Sequence, residues 1–175
     1  MNPRSAERAV SLEQKVRAEC EAFVGSCRSL LLGTLDKAGE AELSYAPFID
    51  LDGEFFILIS GLASHTGNLT RHPVAQVMFI DDESAVEQAY ARRRLRFSCN
   101  ARQCVRADKE WQTLLPQFRE RFGEIVNTLT SLPDFQLFCL TPLHGNWVKG
   151  FGKAFEFEGA NYHGAALVNP ARTRR

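Results

Sequence analysis

Short apolar runs joined by tight turns restrict the first half of the chain to an antiparallel β architecture. Runs at residues 28–35, 41–49 and 54–60 are separated by turn segments at 36–39 (DKAG) and 51–53 (LDG). Glycine suits such turns because it adopts a positive φ without steric cost. Connections this short join antiparallel neighbours, so the pattern predicts a β-meander.

The rest of the chain continues the strand pattern and adds helices. Apolar residues at helical spacing predict an N-terminal amphipathic helix at about residues 11–24. The tail at about 160–175 is polar, and we expect it to be loose. One mainly β (α+β) domain over residues 1–175 is predicted, a small barrel of six or seven strands with flanking helices. The remaining predicted elements are strands at 74–81, 92–107, 135–140 and 146–157 and helices at 108–122 and 123–131.

Composition argues against several classes of protein. Lys plus Arg and Asp plus Glu both number 21, and a net charge of zero gives no bulk attraction to nucleic acid. Because no run of about eighteen apolar residues is present, we expect no membrane span. The N-terminus lacks the apolar core of a signal peptide, so we expect a cytoplasmic protein. The five cysteines lack CxxC spacing and the four histidines lack an HExxH pattern, so we expect no structural zinc site.

A polar segment links the apolar run that ends at Ser60 to the run that begins at Val74. Hydroxyl and amide side chains at a helix start point donors at an anion, so the segment is a candidate phosphate or carboxylate site. Ser64 or Thr66 is the candidate helix cap. The alternative is a capped connector without a ligand. The candidate side chains are Ser64, His65, Thr66, Asn68 and Arg71.

Three consecutive arginines, Arg92 to Arg94, follow an acidic segment at Asp81–Glu83. The two clusters either neutralise each other on the surface, or one or two arginines turn toward an anionic ligand. The planar guanidinium group suits phosphate and carboxylate.

Six segments occur in an order that resembles one family. They are SYAPF (44–48), ASHTGNL (63–69), DDE (81–83), ARRRLRF (91–97), LPDFQLF (132–138) and VKGFGKAF (148–155). Together they resemble the pyridoxamine 5′-phosphate oxidase-like, FMN-binding split β-barrel family, and most of all its haem-utilisation (HugZ/HutZ-like) branch. The resemblance implies a six-stranded antiparallel split barrel that forms a homodimer with ligand sites at the interface.

For flavin-binding members, the resemblance implies that FMN is held by the segments at 44–48 and 60–68. These segments contain no Arg or Lys here, so Arg71, Arg94 or another nearby arginine has to reach the phosphate. The FMN candidates carried over from the family are Ser44, Tyr45, Ser60, Ser64, His65, Thr66 and Asn68.

For the haem branch, the resemblance implies an axial histidine near the C-terminus, and His163 is the candidate. Asp134 matches the aspartate that lies close to this ligand, and Arg94 matches the arginine that reaches the haem. The sequence alone favours an FMN-binding oxidoreductase-like protein. The alternatives are a haem-binding or haem-degrading protein and a non-enzymatic cofactor-binding protein.

Overall fold

A computed structural model describes residues 3–168, with side chains from residue 11 onward. Four α-helices and two short 3-10 turns (Glu83–Ala85 and Ala89–Ala91) accompany the strands of this part of the chain. The helices are α1 (Pro3–Ser26), α2 (Ser64–Arg71), α3 (Lys109–Phe122) and α4 (Ile125–Ser131). The strands are β1 (Ser29–Leu35), β2 (Ala41–Leu51), β3 (Glu54–Ser60), β4 (Val74–Ile80), β5 (Arg94–Cys104), β6 (Phe135–Val148), β7 (Ala154–Glu158) and β8 (His163–Leu167).

The strands form one antiparallel sheet in the order β3-β2-β1-β4-β5-β6-β7-β8, and β3 also pairs with β6. This additional pairing closes β1 to β6 into a barrel. The predicted six-stranded antiparallel barrel with flanking helices is therefore confirmed. Strands β7 and β8 extend the sheet beyond the barrel from the far half of β6.

The barrel interior is filled by aromatic side chains. The rings of Phe48, Phe79 and Phe97 surround Phe55, with centroid distances of 5.9, 5.1 and 5.4 Å. All four side chains are at most 2% exposed. Such tilted and edge-on contacts are the geometry that aromatic rings prefer.

A second apolar cluster explains why β3 is apolar at consecutive positions. Phe55 and Ile57 face the barrel interior, whereas Phe56 and Leu58 pack outward against the apolar face of α3. A strand covered on both faces loses the alternation of apolar and polar residues that a half-exposed strand shows. Helix α1 covers another part of the barrel, where Phe23 packs on Trp147 with ring centroids 4.8 Å apart.

Strand β6 is longer than predicted. The sequence predicted a strand at 135–140 and a separate element at 146–157. Pro142, which lacks the N–H group of a regular ladder, lies between them. The structure continues through Pro142 with a bulge, since Ser98 pairs with His144 while Cys99 pairs with Pro142. Because a bulge interrupts the regular hydrogen-bond ladder locally, the strand can contain Pro142 although proline has no N–H group. Gly150 and Gly152 lie in the turn between β6 and β7, both with positive φ.

Strand β8 lies within the tail that was predicted to be loose. Tyr162 and Ala165 are 5% and 8% exposed, and the Tyr162 ring packs on Phe157 at 4.8 Å. The Gly164 backbone N–H also donates to Glu13 of α1 at 2.9 Å. These contacts are distant in sequence, so the polarity of the tail gave no indication of them. Helix α1 likewise extends beyond the predicted residues 11–24. None of the described helices has the length and apolar character needed to cross a membrane.

We predict that Gly145→Ala destabilises the fold by about 1–3 kcal/mol, the usual cost of overpacking a core. A Cβ atom at Gly145 overlaps the ring of its cross-strand partner Phe157, which is 4% exposed. Urea unfolding measures the change. Gly25→Ala is the matched control, because its Cβ meets nothing within 4 Å and alanine favours a helix. Equal stability of the Gly145 variant and the wild type contradicts the prediction.

Candidate functional site

Helix α2 begins directly after β3, at the polar segment singled out in the sequence. The cap position is Ala63, whose side chain makes no capping hydrogen bond, so the predicted Ser64 or Thr66 cap is wrong. Thr66 is 2% exposed and instead donates from Oγ1 to the Ser60 carbonyl at 2.6 Å. Thr66 therefore fastens the helix to the end of β3 and leaves no hydroxyl for a ligand.

The carboxylate of Glu42, on β2, lies against this helix. It accepts hydrogen bonds from the Ser64 hydroxyl and, at 3.0 Å, from Nδ2 of Asn68. Nδ2 of Asn68 also donates to Oγ1 of Thr34 at 3.1 Å, and an Arg71 guanidinium nitrogen lies 3.5 Å from Oδ1 of Asn68. The hydrogen bonds from Ser64 and Asn68 lower the pKa of Glu42, so it is ionised at neutral pH. We call Thr34, Glu42, Ser64, Asn68 and Arg71 the Glu42 cluster.

His65 faces the same strand. Its Nδ1 atom lies 3.0 Å from the Ser44 hydroxyl, which is also 3.4 Å from the Leu32 carbonyl. Burial lowers the pKa of His65, and the opposing effect of the Glu42 charge is smaller. The imidazole is therefore mainly neutral near pH 7 and adds little positive charge to the turn.

The α2 turn does not fit the phosphate of FMN. Such a phosphate carries about two negative charges, whereas among the described residues the turn holds an ionised Glu42, a mainly neutral His65 and Arg71 as its cation. Tyr45, the other residue carried over on β2, is 66% exposed and lies opposite Leu31 on the outer face of the sheet. The structure thus brings Ser64 and Asn68 together on an internal carboxylate, with His65 and Ser44 paired beside them.

Ser60 belongs to a different contact. Its hydroxyl donates to Oδ2 of Asp134 at 2.6 Å and accepts from the Leu62 backbone N–H at 3.1 Å. The Gly61 N–H donates to the Asp134 carbonyl at 2.8 Å, and a Cβ at Gly61 would lie 2.9 Å from that oxygen. These contacts fix the Asp134 carboxylate just before the start of β6.

The outer face of the sheet carries a groove of about 1020 Å³, in which His163 is a lining residue. Leu31 and Met78 give it an apolar floor. Cross-strand register explains the polar wall: Ser98, His144, Glu158 and His163 are successive partners across β5 to β8. Arg96, Asn146 and Glu156 form the neighbouring row.

Arg96 and His144 are groove residues that the sequence analysis did not select. Alternation along β5 places Arg94, Arg96 and Ser98 on the same outward face, which is the signal that was available. Arg94 donates to the Arg92 carbonyl at 3.3 Å and does not line the groove, whereas Arg96 does.

Arg92 and Arg93, the other two arginines of the basic segment, bind residues of the acidic segment. Arg93 makes two hydrogen bonds of 2.9 Å to the Asp81 carboxylate and lies over the Phe23 ring. Arg92 donates to the Asp81 carbonyl and to Glu83. For Arg92 and Arg93, mutual neutralisation with the acidic segment is therefore the observed arrangement.

His163 and Asp134 do not meet within one chain. Asp134 directly precedes β6, while His163 reaches β6 only through Glu158 of β7, which pairs with His144. Ten residues of strand separate positions 134 and 144, or about 33 Å along an extended strand.

Two buried cysteines of the barrel, Cys99 and Cys139, are held in the protonated thiol form. Burial raises the pKa of Cys99 to about 12 and that of Cys139 to about 11, so both thiols are protonated at neutral pH. Among the described residues, no three His, Cys, Asp or Glu side chains are grouped as metal ligands.

Residues 16–149 match the family model described as pyridoxamine 5′-phosphate oxidase. The chain belongs to this oxidase family. The family resemblance read from the six segments is therefore confirmed.

Relatives within the family point to its haem-utilisation branch. Heme oxygenase HutZ of Vibrio cholerae is 39% identical over 148 residues, which are 85% of this chain and 84% of HutZ. A crystal structure of HutZ, described as a heme storage protein, matches 71% of this chain and 88% of its own with a TM-score of 0.69. Campylobacter jejuni ChuZ is 32% identical, with a TM-score of 0.80 over 90% of this chain and 65% of its own.

We predict that the free energy of unfolding falls as the pH decreases below about 6.5, the ordinary histidine value. Burial holds the folded-state pKa of His65 below its unfolded value, so the unfolded chain takes up the proton more readily. Urea unfolding between pH 7.5 and 5.5 measures the slope. His65→Gln should flatten it, whereas His144→Gln, at an exposed position, should not. An unchanged slope in His65→Gln removes His65 as the cause.

Proposed function

We propose that the protein binds haem in the groove and supports haem breakdown, as the name heme oxygenase states for HutZ. The observation that carries the proposal is the groove itself, which combines a histidine, an arginine and an apolar floor in a chain 39% identical to HutZ. The FMN alternative has less support, because Glu42 lies among the residues expected to hold the phosphate.

The residues of the groove suit the parts of a haem. Its volume of about 1020 Å³ is at the upper end of small-molecule sites, which span about 300–1,000 Å³. Leu31 and Met78 offer apolar contact to the macrocycle, and the Arg96 guanidinium suits a propionate. His163, exposed at the start of β8, supplies an imidazole as axial ligand. Bound haem iron supplies the oxygen chemistry, while the protein supplies ligand, orientation and an apolar surrounding.

We further propose a homodimer in which each haem site takes His163 from one copy and Asp134 from the other. Asp134 precedes β6, whereas His163 lies two strands away, opposite the part of β6 at His144 that is ten residues further along, so one chain does not place both at one ligand. A twofold pairing of copies makes two equivalent sites. Leu31, Leu43 and Tyr45 are 40%, 84% and 66% exposed on the outer face and give a second copy an apolar surface to cover.

In such a site Asp134 acts on the ligand histidine. Its carboxylate accepts the N–H of the imidazole, which fixes the tautomer and increases the basicity of the nitrogen that faces the iron. The Ser60 hydroxyl already donates a hydrogen bond to Oδ2 of Asp134. In the described part of the chain no group donates to Oδ1, so this oxygen is available to the imidazole.

We expect haemin titration of the purified protein to give a sharp Soret band at one haem per subunit. His163→Ala should lose this spectrum and weaken binding at least tenfold, because the iron loses its protein ligand. Arg96→Ala should weaken binding about tenfold through loss of a charge-assisted hydrogen bond. His144→Ala is the matched control, since His144 lines the same groove. Loss of the spectrum in His144→Ala but not in His163→Ala contradicts the ligand assignment.

Breakdown is tested on the same complex. A reductant added in air should bleach the Soret band of the wild type within minutes, with release of iron that a ferrous chelator detects. A Soret band that persists under these conditions, with haem still bound, identifies a storage protein without the oxygenase activity.

We predict that His163→Ala and Asp134→Asn complement each other in a mixed dimer. If each site takes one residue from each copy, the mixed dimer holds one site with both residues intact and one with both changed. Differently tagged chains, co-purified through both tags, should bind one haem per dimer with the wild-type spectrum. Two altered sites in the mixed dimer, or a monomer in sedimentation analysis, contradict the shared site.

A further inference from the structure

We propose that Glu42 is a specificity-determining residue, a built-in carboxylate that fills the anion position of the α2 turn and excludes phosphate-bearing cofactors such as FMN. The inference concerns a different part of the chain from the groove residues His163 and Arg96, and it stands independently of the haem proposal.

The contacts of Glu42 are those that a bound phosphate would need. One carboxylate oxygen accepts a hydrogen bond from the hydroxyl of Ser64, the first residue of α2, and the other accepts one from Nδ2 of Asn68. A donor that is hydrogen-bonded to Glu42 is not available to bind an external anion. The carboxylate thus occupies, from within the chain, two side-chain donors of α2 that an external anion would use.

Buried polar groups hold this arrangement in place. Asn68 and Thr34 are 5% and 4% exposed, and Nδ2 of Asn68 bridges Thr34 and Glu42. Turning the Asn68 amide toward another ligand leaves the buried Thr34 hydroxyl without this donor, which is costly. The site is therefore organised around Glu42 before any ligand arrives.

Charge strengthens the exclusion. Glu42 is ionised because the Ser64 and Asn68 hydrogen bonds lower its pKa. Arg71 is the cation of the Glu42 cluster, so Glu42 and Arg71 together carry no net charge. A phosphate placed here meets a carboxylate at close range, and like charges at that range repel. Without the carboxylate, Arg71 and the same donors would favour an anion.

The test compares FMN with riboflavin, which lacks the phosphate. Fluorescence quenching of each flavin is measured with the wild type, Glu42→Gln, Glu42→Lys and the control Glu40→Gln. Glu40 lies two residues away at an exposed position, so the control removes the same charge outside the cluster. Glu42→Gln keeps the size of the side chain, and Glu42→Lys places a cation where the carboxylate was.

We expect FMN binding to tighten at least tenfold in Glu42→Gln and further in Glu42→Lys, with riboflavin binding unchanged and Glu40→Gln equal to the wild type. No gain for FMN in either Glu42 variant overturns the proposal. So does an equal gain for riboflavin, or a wild type that binds FMN at least tenfold more tightly than riboflavin. Circular dichroism confirms folding of each variant, and haemin titration of the same samples reports separately on the groove.

Discussion

Pairing of β3 with β6 is the constraint on which the rest of the structure depends. It closes the barrel around Phe55, and its register sets Ser60 opposite Phe135. That register places the Ser60 hydroxyl beside Asp134 and the start of α2 beside β2, where Glu42 lies. Because β6 runs on past the barrel, it also carries β7 and β8 and so creates the groove. The pairing of β3 with β6 thus positions the α2 turn, and the far half of β6 positions the groove.

The barrel was accessible from sequence because its determinants are local. Turns such as DKAG and apolar runs such as that of β3 are read within a few residues. The errors concern contacts between distant segments. Strand β8 is ordered by Tyr162 packing on Phe157 and by Glu13 of α1, and neither contact has a signal in the polar tail. The continuation of β6 through Pro142 depends on a bulge opposite β5.

The candidate sites were predicted less completely for the same physical reason. The polar side chains of the α2 turn were identified, but their partner Glu42 lies 22 residues earlier than Ser64, on another strand. A phosphate site is recognised in a sequence by nearby cationic side chains. A carboxylate that takes the place of the phosphate gives no such signal. Arg96 lines the groove and Arg94 does not, a difference that depends on position along β5 and not on residue type. The expectation of FMN came from the family as a whole, whereas the named relatives favour the haem alternative.

The position of His163 has a thermodynamic consequence. It begins β8, which in the described part of the chain is the last strand of the sheet and pairs with β7 alone. Edge strands at the end of a sheet fray at lower cost than central strands. A ligand that binds His163 binds only the fraction of molecules in which β8 is docked, so its apparent dissociation constant is the intrinsic value divided by that fraction. The apparent affinity of such a ligand therefore also reports the local folding equilibrium of β8. Substitutions in α1 that weaken the docking of β8 reduce this affinity, although the substituted residues do not contact the ligand.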